Sequence, residues 1–286
     1  MKNFKKFIKK VIKLLGYFFV KLLSKFKLGR LFLDILVDEN NSLTKKVLYK
    51  DISLEFYTPN DINLYRVESF NYKEPDTIDW IDNFKKNSIF WDVGSNIGLF
   101  SCYAARKRNC MVFSFEPSVF NLEILCKNIN LNNLNEKITI MPLPISDAIK
   151  NSKFKLSSLV KGGAISTFGE KFTYDGTKLN SIFEYRTTGI SINEIIKYFN
   201  YPKPDYLKID VDGIEHLILS GGGDNLREVK EILVEVDEKF DKQFNQVNDI
   251  LNNSGFRLIK KILLHNEKRE VSDKQIFNQI WIKNKI

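Results

Sequence analysis

An apolar run ending in Trp91-Asp92-Val93 breaks straight into Gly94-Ser95-Asn96-Ile97-Gly98, and a second apolar run closes on Glu116-Pro117, 24 residues after Asp92. A helix-like pattern separates the two. In an open α/β sheet, ligands sit beyond the carboxyl ends of the strands. Gly94 and Gly98 fall in the first strand-to-helix turn, where glycine permits positive φ and close approach of a ligand. The amides of the turn and of the following helix start favour an anionic group such as a carboxylate. Asp92 is placed to meet an ammonium, and Glu116 to accept both hydroxyls of a ribose. Two cofactors share these needs, a dinucleotide and S-adenosylmethionine. The dinucleotide fingerprint wants G-x-G-x-x-G, whereas this chain offers G-x-N-x-G with a bulky Ile97 and no third glycine. S-adenosylmethionine has no pyrophosphate to accommodate, so it is expected, with a nicotinamide-dependent oxidoreductase as the alternative.

A second group of ionisable residues lies in "YLKIDVDGIEH", residues 206–216. Lys208, Asp210 and Asp212 alternate with apolar neighbours and share one side while the strand lasts. Unpaired charge in a buried strand is costly, so these residues need a reason to be there. Asp210, at the strand end, is the first candidate for a general base or a group that positions an acceptor; a salt bridge to Lys208 or a helix cap is its structural alternative. Asp212, before Gly213, reads as a turn residue. His216 has the intrinsic pKa of a base, and Glu235 closes the next strand, a further catalytic candidate that could face the acceptor. Asp210, Asp212 and Glu235 could together hold a divalent metal, which nothing in their spacing demands. Cys102 and Cys126 fall on apolar helix faces and are expected in the core. The loop "KGGAISTFG", residues 161–169, is the candidate acceptor lid.

The segments "EPDTIDWI", "FWDVGSNIGLFS", "FEPSVFNLEILCKNINLNN", "PISDA", "YLKIDVDGIEHLILSGG" and "ILVEVD" together resemble the FkbM-type S-adenosylmethionine-dependent methyltransferases, in that family's order and over roughly residues 64–240. The resemblance implies a Rossmann-like class I methyltransferase, a three-layer α/β sandwich with a mostly parallel seven-stranded sheet and an antiparallel last strand. It implies O-methylation of a sugar or another small hydroxylated acceptor, lipid-linked glycans included. By position, Asp92, Gly94, Ser95, Asn96, Gly98, Glu116 and Pro117 fall on the family's cofactor motif, and Ser146 and Asp147 on the segment expected beside the adenine. A catalytically silent cofactor-binding module is a further alternative.

The elements that must hold these residues alternate from residue 89 onward. Strands are expected at 89–93, 111–116, 137–144, 205–211, 230–236, 256–264 and 276–283. Helices are expected at 97–108, 118–131, 191–199, 214–220 and 241–253, and this alternation means a parallel sheet with helices on both faces. Residues 45–70 read as short strands, including "NLYRVESF", separated by the turn signal Pro59-Asn60-Asp61. A helix starts near Pro75, and residues 150–190 read as irregular. The catalytic domain is expected over 45–286.

Charge is unevenly distributed. The net +9 arises from nine lysines and no acid within residues 1–28; the rest carries 35 basic and 35 acidic residues. A neutral body argues against nucleic acid and an RNA substrate. Phe4, Phe7, Ile8, Val11, Ile12 and Leu15 open a helical stripe that continues to Phe26, with most lysines on the other face. One basic amphipathic helix over 1–30 is expected, with the membrane surface along 1–28 as its partner and docking or homo-oligomer contact as the alternative. The seven-residue run Leu14 to Val20 is too short to span a bilayer, and Lys21 interrupts any signal-peptide core. Three cysteines without a CxxC pair suggest a reducing, cytoplasmic setting, peripheral to a membrane where the helix engages it.

Overall fold

The computed structural model describes residues 2–264 and 275–284; His265 lies outside them. The chain divides into two compact units, Met1–Thr44 and Lys45–Ile286. The first is a pair of helices, α1 (Lys2–Leu23) and α2 (Lys27–Asn41), where one helix over 1–30 was expected. Gly29 explains the close turn between them: a Cβ there would stand 2.0 Å from the Leu23 carbonyl oxygen. Phe19 and Phe32 meet edge to face at 6.5 Å. Much of the apolar stripe stays exposed, Phe18 at 69% and Leu28 at 81%. Among the described residues, no helix is long and apolar enough to cross a membrane.

The second unit opens with the hairpin β1 (Thr44–Tyr49) and β2 (Ile52–Tyr57), followed by α3 (Asp61–Glu68), α4 (Phe70–Lys73) and α5 (Pro75–Asp82). The strand expected at "NLYRVESF" is therefore helical. Asn60 is not an interstrand turn residue but the cap of α3, its side chain accepting the Asn63 amide at 2.9 Å. Asn63, Val67 and Phe70 are buried at helical spacing.

The alternating part runs β3 (Ile89–Val93), α6 (Leu99–Arg108), β4 (Met111–Phe115), α7 (Val119–Leu131), β5 (Ile138–Met141), β6 (Ile145–Ser146), β7 (Lys150–Leu156), β8 (Ser166–Phe168), β9 (Phe183–Ser191) and α8 (Ile192–Phe199). It continues with β10 (Tyr206–Ile209), α9 (Glu215–Ser220), β11 (Glu231–Asp237), α10 (Asp241–Asn253), β12 (Phe256–Leu263) and β13 (Ile276–Lys283). Seven strands form the main sheet in the order β12-β13-β11-β10-β3-β4-β5. Strands β5, β4, β3, β10 and β11 pair in parallel; β13 is antiparallel to both β11 and β12. This is the mostly parallel seven-stranded sheet with an antiparallel last strand that the resemblance implies. Strand order reverses between β3 and β10, which opens a crevice at their carboxyl ends.

Residues 150–190 are irregular only in part. They contribute β7, β8 and β9 to a four-stranded sheet ordered β6-β9-β7-β8. Only Phe154 and Leu156 of β7 are buried, too few to write a strand pattern into the sequence. The main sheet is covered on both faces. Trp91, Phe115, Leu207 and Ile209 pack into one core, and Phe90, Val112, Tyr206 and Leu233 into the other. Cys102 lies in the second core, whereas Cys126 is exposed rather than buried.

Candidate active site

Two cavities occupy the crevice and share Gly94, Asn96, Ala164, Asp210 and Asp212. The inner one, of about 60 Å3, lies against Glu116 and Pro117 and is walled by Phe115, Leu143, Pro144, Ile145, Phe154 and Phe168. The outer one, of about 490 Å3, lies among Arg66, Lys73, Glu74, Ser95, Lys208 and Glu235.

The turn that joins them is shaped by Gly94. Its φ is +85°, and a Cβ would stand 1.9 Å from the Asp210 carbonyl oxygen, so β3 and β10 can close on one another only at a glycine. Its amides are largely engaged within the protein. Those of Gly94 and Ser95 donate to the Phe115 carbonyl at 3.0 and 3.1 Å, and that of Gly98 to the Ser95 carbonyl at 2.8 Å. The expected cradle of turn amides around a carboxylate is thus not what this turn offers. It offers side-chain atoms instead: Ser95 Oγ and Asn96 Oδ1 are buried without a partner among the described residues. Gly98 reaches neither cavity; its missing side chain lets Leu125 of α7 pack against the turn, 2.4 Å from where a Cβ would be.

Glu116 stands at the end of β4 and faces the inner cavity. Its carboxylate accepts the Asn96 amide at 2.9 Å and the Ser118 amide at 2.8 Å. Burial pushes it up to about 7 against the opposing pull of those amides. With the Asn121 side chain also at the carboxylate, it still has lone-pair capacity to offer a ligand hydroxyl.

Asp92 is placed differently from the expectation. It is 1% exposed, lines neither cavity, and lies beneath the turn. It sits in register between Lys208 on β10 and Ser114 on β4. Its Oδ2 accepts from Ser101 Oγ at 2.6 Å, and Ser101 in turn accepts from Ser114 at 2.7 Å. Burial raises its pKa, with Lys208 pulling the other way. The residue anchors α6 to the sheet. Ser146 and Asp147 also miss the cavities: Ser146 donates to Asp147 at 2.7 Å, and Asp147 pairs with Lys150 at the protein surface. Their neighbours Leu143, Pro144 and Ile145 form the wall instead.

On the acceptor side, Asp210 lines both cavities and bonds Lys208 at 2.6 Å. Burial would raise the Asp210 carboxyl, but Lys208 outweighs it and holds the group below the usual carboxylate range. Lys208 itself is 2% exposed. Glu235 lines the outer cavity, and burial together with Asp210, Glu215, Asp212 and Glu74 raises it well above the ordinary range. Glu215 clasps the turn after β10, accepting the Val211 amide at 3.0 Å and the Gly213 amide at 3.2 Å. His216 is not a site residue: it is fully buried, lines neither cavity, and packs between Phe172 and Phe240. Burial and nearby Lys242 lower it to about 4. Among the described residues, no three His, Cys, Asp or Glu side chains could hold a metal ion, so Asp210, Asp212 and Glu235 do not assemble as one.

The segment 161–166 closes over both cavities. Asn121, which sequence reasoning did not single out, accepts the Gly162 amide at 2.9 Å and donates to the Gly163 carbonyl at 3.2 Å. Asn96 donates to the same carbonyl at 2.9 Å. Asn63 donates to the Lys161 carbonyl at 3.0 Å and Arg66 to that of Gly162 at 2.8 Å. Asp212, in left-handed backbone at φ 65°, accepts the Ile165 amide at 2.8 Å. Asn121 lies within "FEPSVFN", five residues after Glu116, which is the one sequence signal that could have pointed to it.

The methyltransferase FkbM domain matches residues 92–258, more than half of the chain. The chain belongs to the FkbM methyltransferase family. It is similar to the hexuronic acid methyltransferase AglP of Haloferax volcanii, at 30% identity over 54% of this chain and 59% of that protein. It is also similar to the methyltransferase sdnD of Sordaria araneosa, at 28% identity over 67% of this chain and 83% of that protein. The chain thus spans less than two thirds of the first of these relatives. A precorrin-6y C5,15-methyltransferase structure from Geobacter metallireducens superposes with a TM-score of 0.44 at 12% identity, covering 74% of this chain and 87% of that one.

Proposed function

We propose that this protein transfers a methyl group from S-adenosylmethionine to a hydroxyl of a sugar, in a free or lipid-linked glycan. The observation that carries the reading is the crevice itself. Glu116 closes β4 with lone pairs to spare for ribose hydroxyls, and Gly94 lets β3 and β10 close on one another at the base of the crevice. Ser95 Oγ and Asn96 Oδ1 wait unpartnered for the polar methionine end. Leu143, Pro144, Phe154 and Phe168 supply an apolar wall for the adenine. Family membership and the relative that acts on hexuronic acid support the same reaction class. At about 60 Å3 the inner cavity is far below the roughly 300–1,000 Å3 of ligand sites, so segment 161–166 must lift for entry.

S-adenosylmethionine, when bound, supplies a methyl group already activated by its positive sulfur. What the chain must add is alignment and a proton acceptor. Glu235, which lines the outer cavity, is placed to take the acceptor hydroxyl's proton in its ionised form as the oxygen attacks. Asp210, held ionised by Lys208, suits positioning of that hydroxyl better than proton removal. Segment 161–166, shifted outward but still lying over the bound cofactor, excludes water. The test is to incubate the full chain with methyl-labelled S-adenosylmethionine and a pool of lipid-linked glycans. Label in a sugar ether is expected; label in no glycan, together with no cofactor binding by calorimetry, overturns the reading.

The Met1–Thr44 unit is proposed to rest on the cytoplasmic face of an anionic membrane, where lipid-linked glycans would be presented. Its exposed apolar stripe and its lysine excess support this. The full chain is expected to float with anionic vesicles, and its Lys10→Glu, Lys13→Glu, Lys21→Glu variant to sediment. Flotation that ignores both lipid charge and this variant contradicts the proposal.

A further inference from the structure

Helices α3 and α4 present adjacent residues to two different spaces. Arg66 and Lys73 line the outer cavity of the crevice, while Tyr65 and Tyr72 line a further cavity of about 470 Å3. This third cavity also touches Lys73, Glu74 and Leu264, so it continues the outer cavity outward. Its size is that of a ligand site, and none of its residues takes part in the cofactor crevice beyond the shared edge. The two tyrosines are 45% and 57% exposed, broad faces offered outward on short helices. Opposite them stand an ion pair, Asp76 with Lys260, and Asn278. Asn278 is 2% exposed, and its Nδ2 donates to Thr77 at 3.4 Å. Its Oδ1 has no hydrogen-bond partner among the described residues.

We propose that this third cavity holds the sugars next to the methylated one, so that the acceptor is an oligosaccharide rather than a single sugar. The inference rests on the sugar O-methylation proposed above and names the size of its acceptor. A pyranose has an apolar C–H face and a rim of hydroxyls that both donate and accept. Tyrosine rings cover such a face. Asp76 and Asn278 Oδ1 accept from the rim, and Lys260 donates to it. An acyl chain would meet paired charges here, and a polyanion would meet acid as readily as base. Neither fits the wall as well as a neutral polar ring.

The glycan that takes label in the pool experiment supplies the probe. Its unmethylated form is presented whole, and after enzymatic trimming to the one sugar that accepts the methyl group, with cofactor saturating. The whole acceptor is expected to show a kcat/KM at least about tenfold higher, the scale of one good stacking contact. Tyr65→Ala is expected to shrink that ratio several-fold through KM, and Tyr65→Phe, which keeps the ring, to preserve it. Equal kcat/KM for the two acceptors in the unaltered chain overturns the inference and leaves sugar methylation standing, whether or not Tyr65→Ala folds. So does a Tyr65→Ala loss that falls equally on both acceptors. Label in no sugar defeats the function proposed above, and this inference with it.

Discussion

The inner and outer cavities share a turn and a closing segment, yet they are built by opposite means. Against Glu116 the walls are mostly backbone and apolar side chains, and apart from the shared edge at Asp210 and Asp212 the one carboxylate there is held by two amides. Against Glu235 the walls carry Arg66, Lys73 and Lys208 opposite Glu74, Asp210, Asp212 and Glu235. Away from that shared edge, the inner side recognises by shape and one acid. The outer side is arranged so that neighbouring charges push two carboxyls apart: Asp210 is held down by Lys208 while Glu235 is driven up. Environments that separate two carboxyls in this way suit them to different roles.

The sharpest way to break this contrast is a pair of substitutions. Glu235→Gln is expected to lower kcat by about 10²–10⁴-fold, as for a lost general base, while leaving cofactor affinity in place. Glu116→Gln is expected to do the reverse, weakening cofactor binding by about ten- to a hundredfold through loss of charged hydrogen bonds. Steady-state kinetics and calorimetry on both variants check it, and losses of the same kind in both would merge the two cavities into one function.

Next in size is Gly94→Ala. A Cβ aimed at the Asp210 carbonyl from left-handed backbone is expected to cost about 2–4 kcal/mol of folding stability, read by urea unfolding. A loss below about 0.5 kcal/mol, the scale of an ordinary surface change, would mean the turn is looser than described.

How much of this was legible in the sequence follows from how local each feature is. Gly94 and Glu116 are set by their own strand ends, and the apolar runs before them reveal both. Asp92 could not be placed that way. A charged residue inside β3 reads alike whether it faces the crevice or lies beneath α6, and only Lys208 and Ser114 on neighbouring strands decide it. His216 has the pKa of a base on paper, but α9 turns its ring between Phe172 and Phe240. The second sheet went unread because β7 pairs with β9 across a long connection while burying only two of its own residues. The loop 161–169 was singled out as a lid, but the anchors of its 161–166 part were not. Asn63, Arg66 and Asn121 come from α3 and α7, and α3 itself was read as a strand.

Those anchors give a smaller effect. Asn121→Ala removes two hydrogen bonds to the closing segment, each worth about 0.5–1.5 kcal/mol. Faster hydrogen exchange at the Gly162 amide is expected, by about tenfold or more, with little change in global stability. Unchanged exchange would show that the segment is held by other contacts.

The smallest effect is on pH dependence. Burial holds Glu116 and Glu215 near 7, above their ordinary 4.5, so near neutrality the folded chain keeps protons that the unfolded chain has lost. Stability from these groups is full below 4.5 and is lost as pH rises through 7. His216, lowered to about 4, acts oppositely but only below its ordinary 6.5. Between pH 6.5 and 8 the Tm is therefore expected to fall, and a rising Tm would contradict the burial of these carboxyls.

The central claim is that β4 ends in an acid that grips a nucleoside beneath segment 161–166. Crystals of the full chain grown with S-adenosylhomocysteine test it most directly. The account predicts both ribose hydroxyls within hydrogen-bond reach of Glu116, the adenine against Leu143 and Pro144, and segment 161–166 displaced from its present contacts. A nucleoside bound elsewhere, or Glu116 bonded only to Asn96 and Ser118 with that segment unmoved, would contradict it.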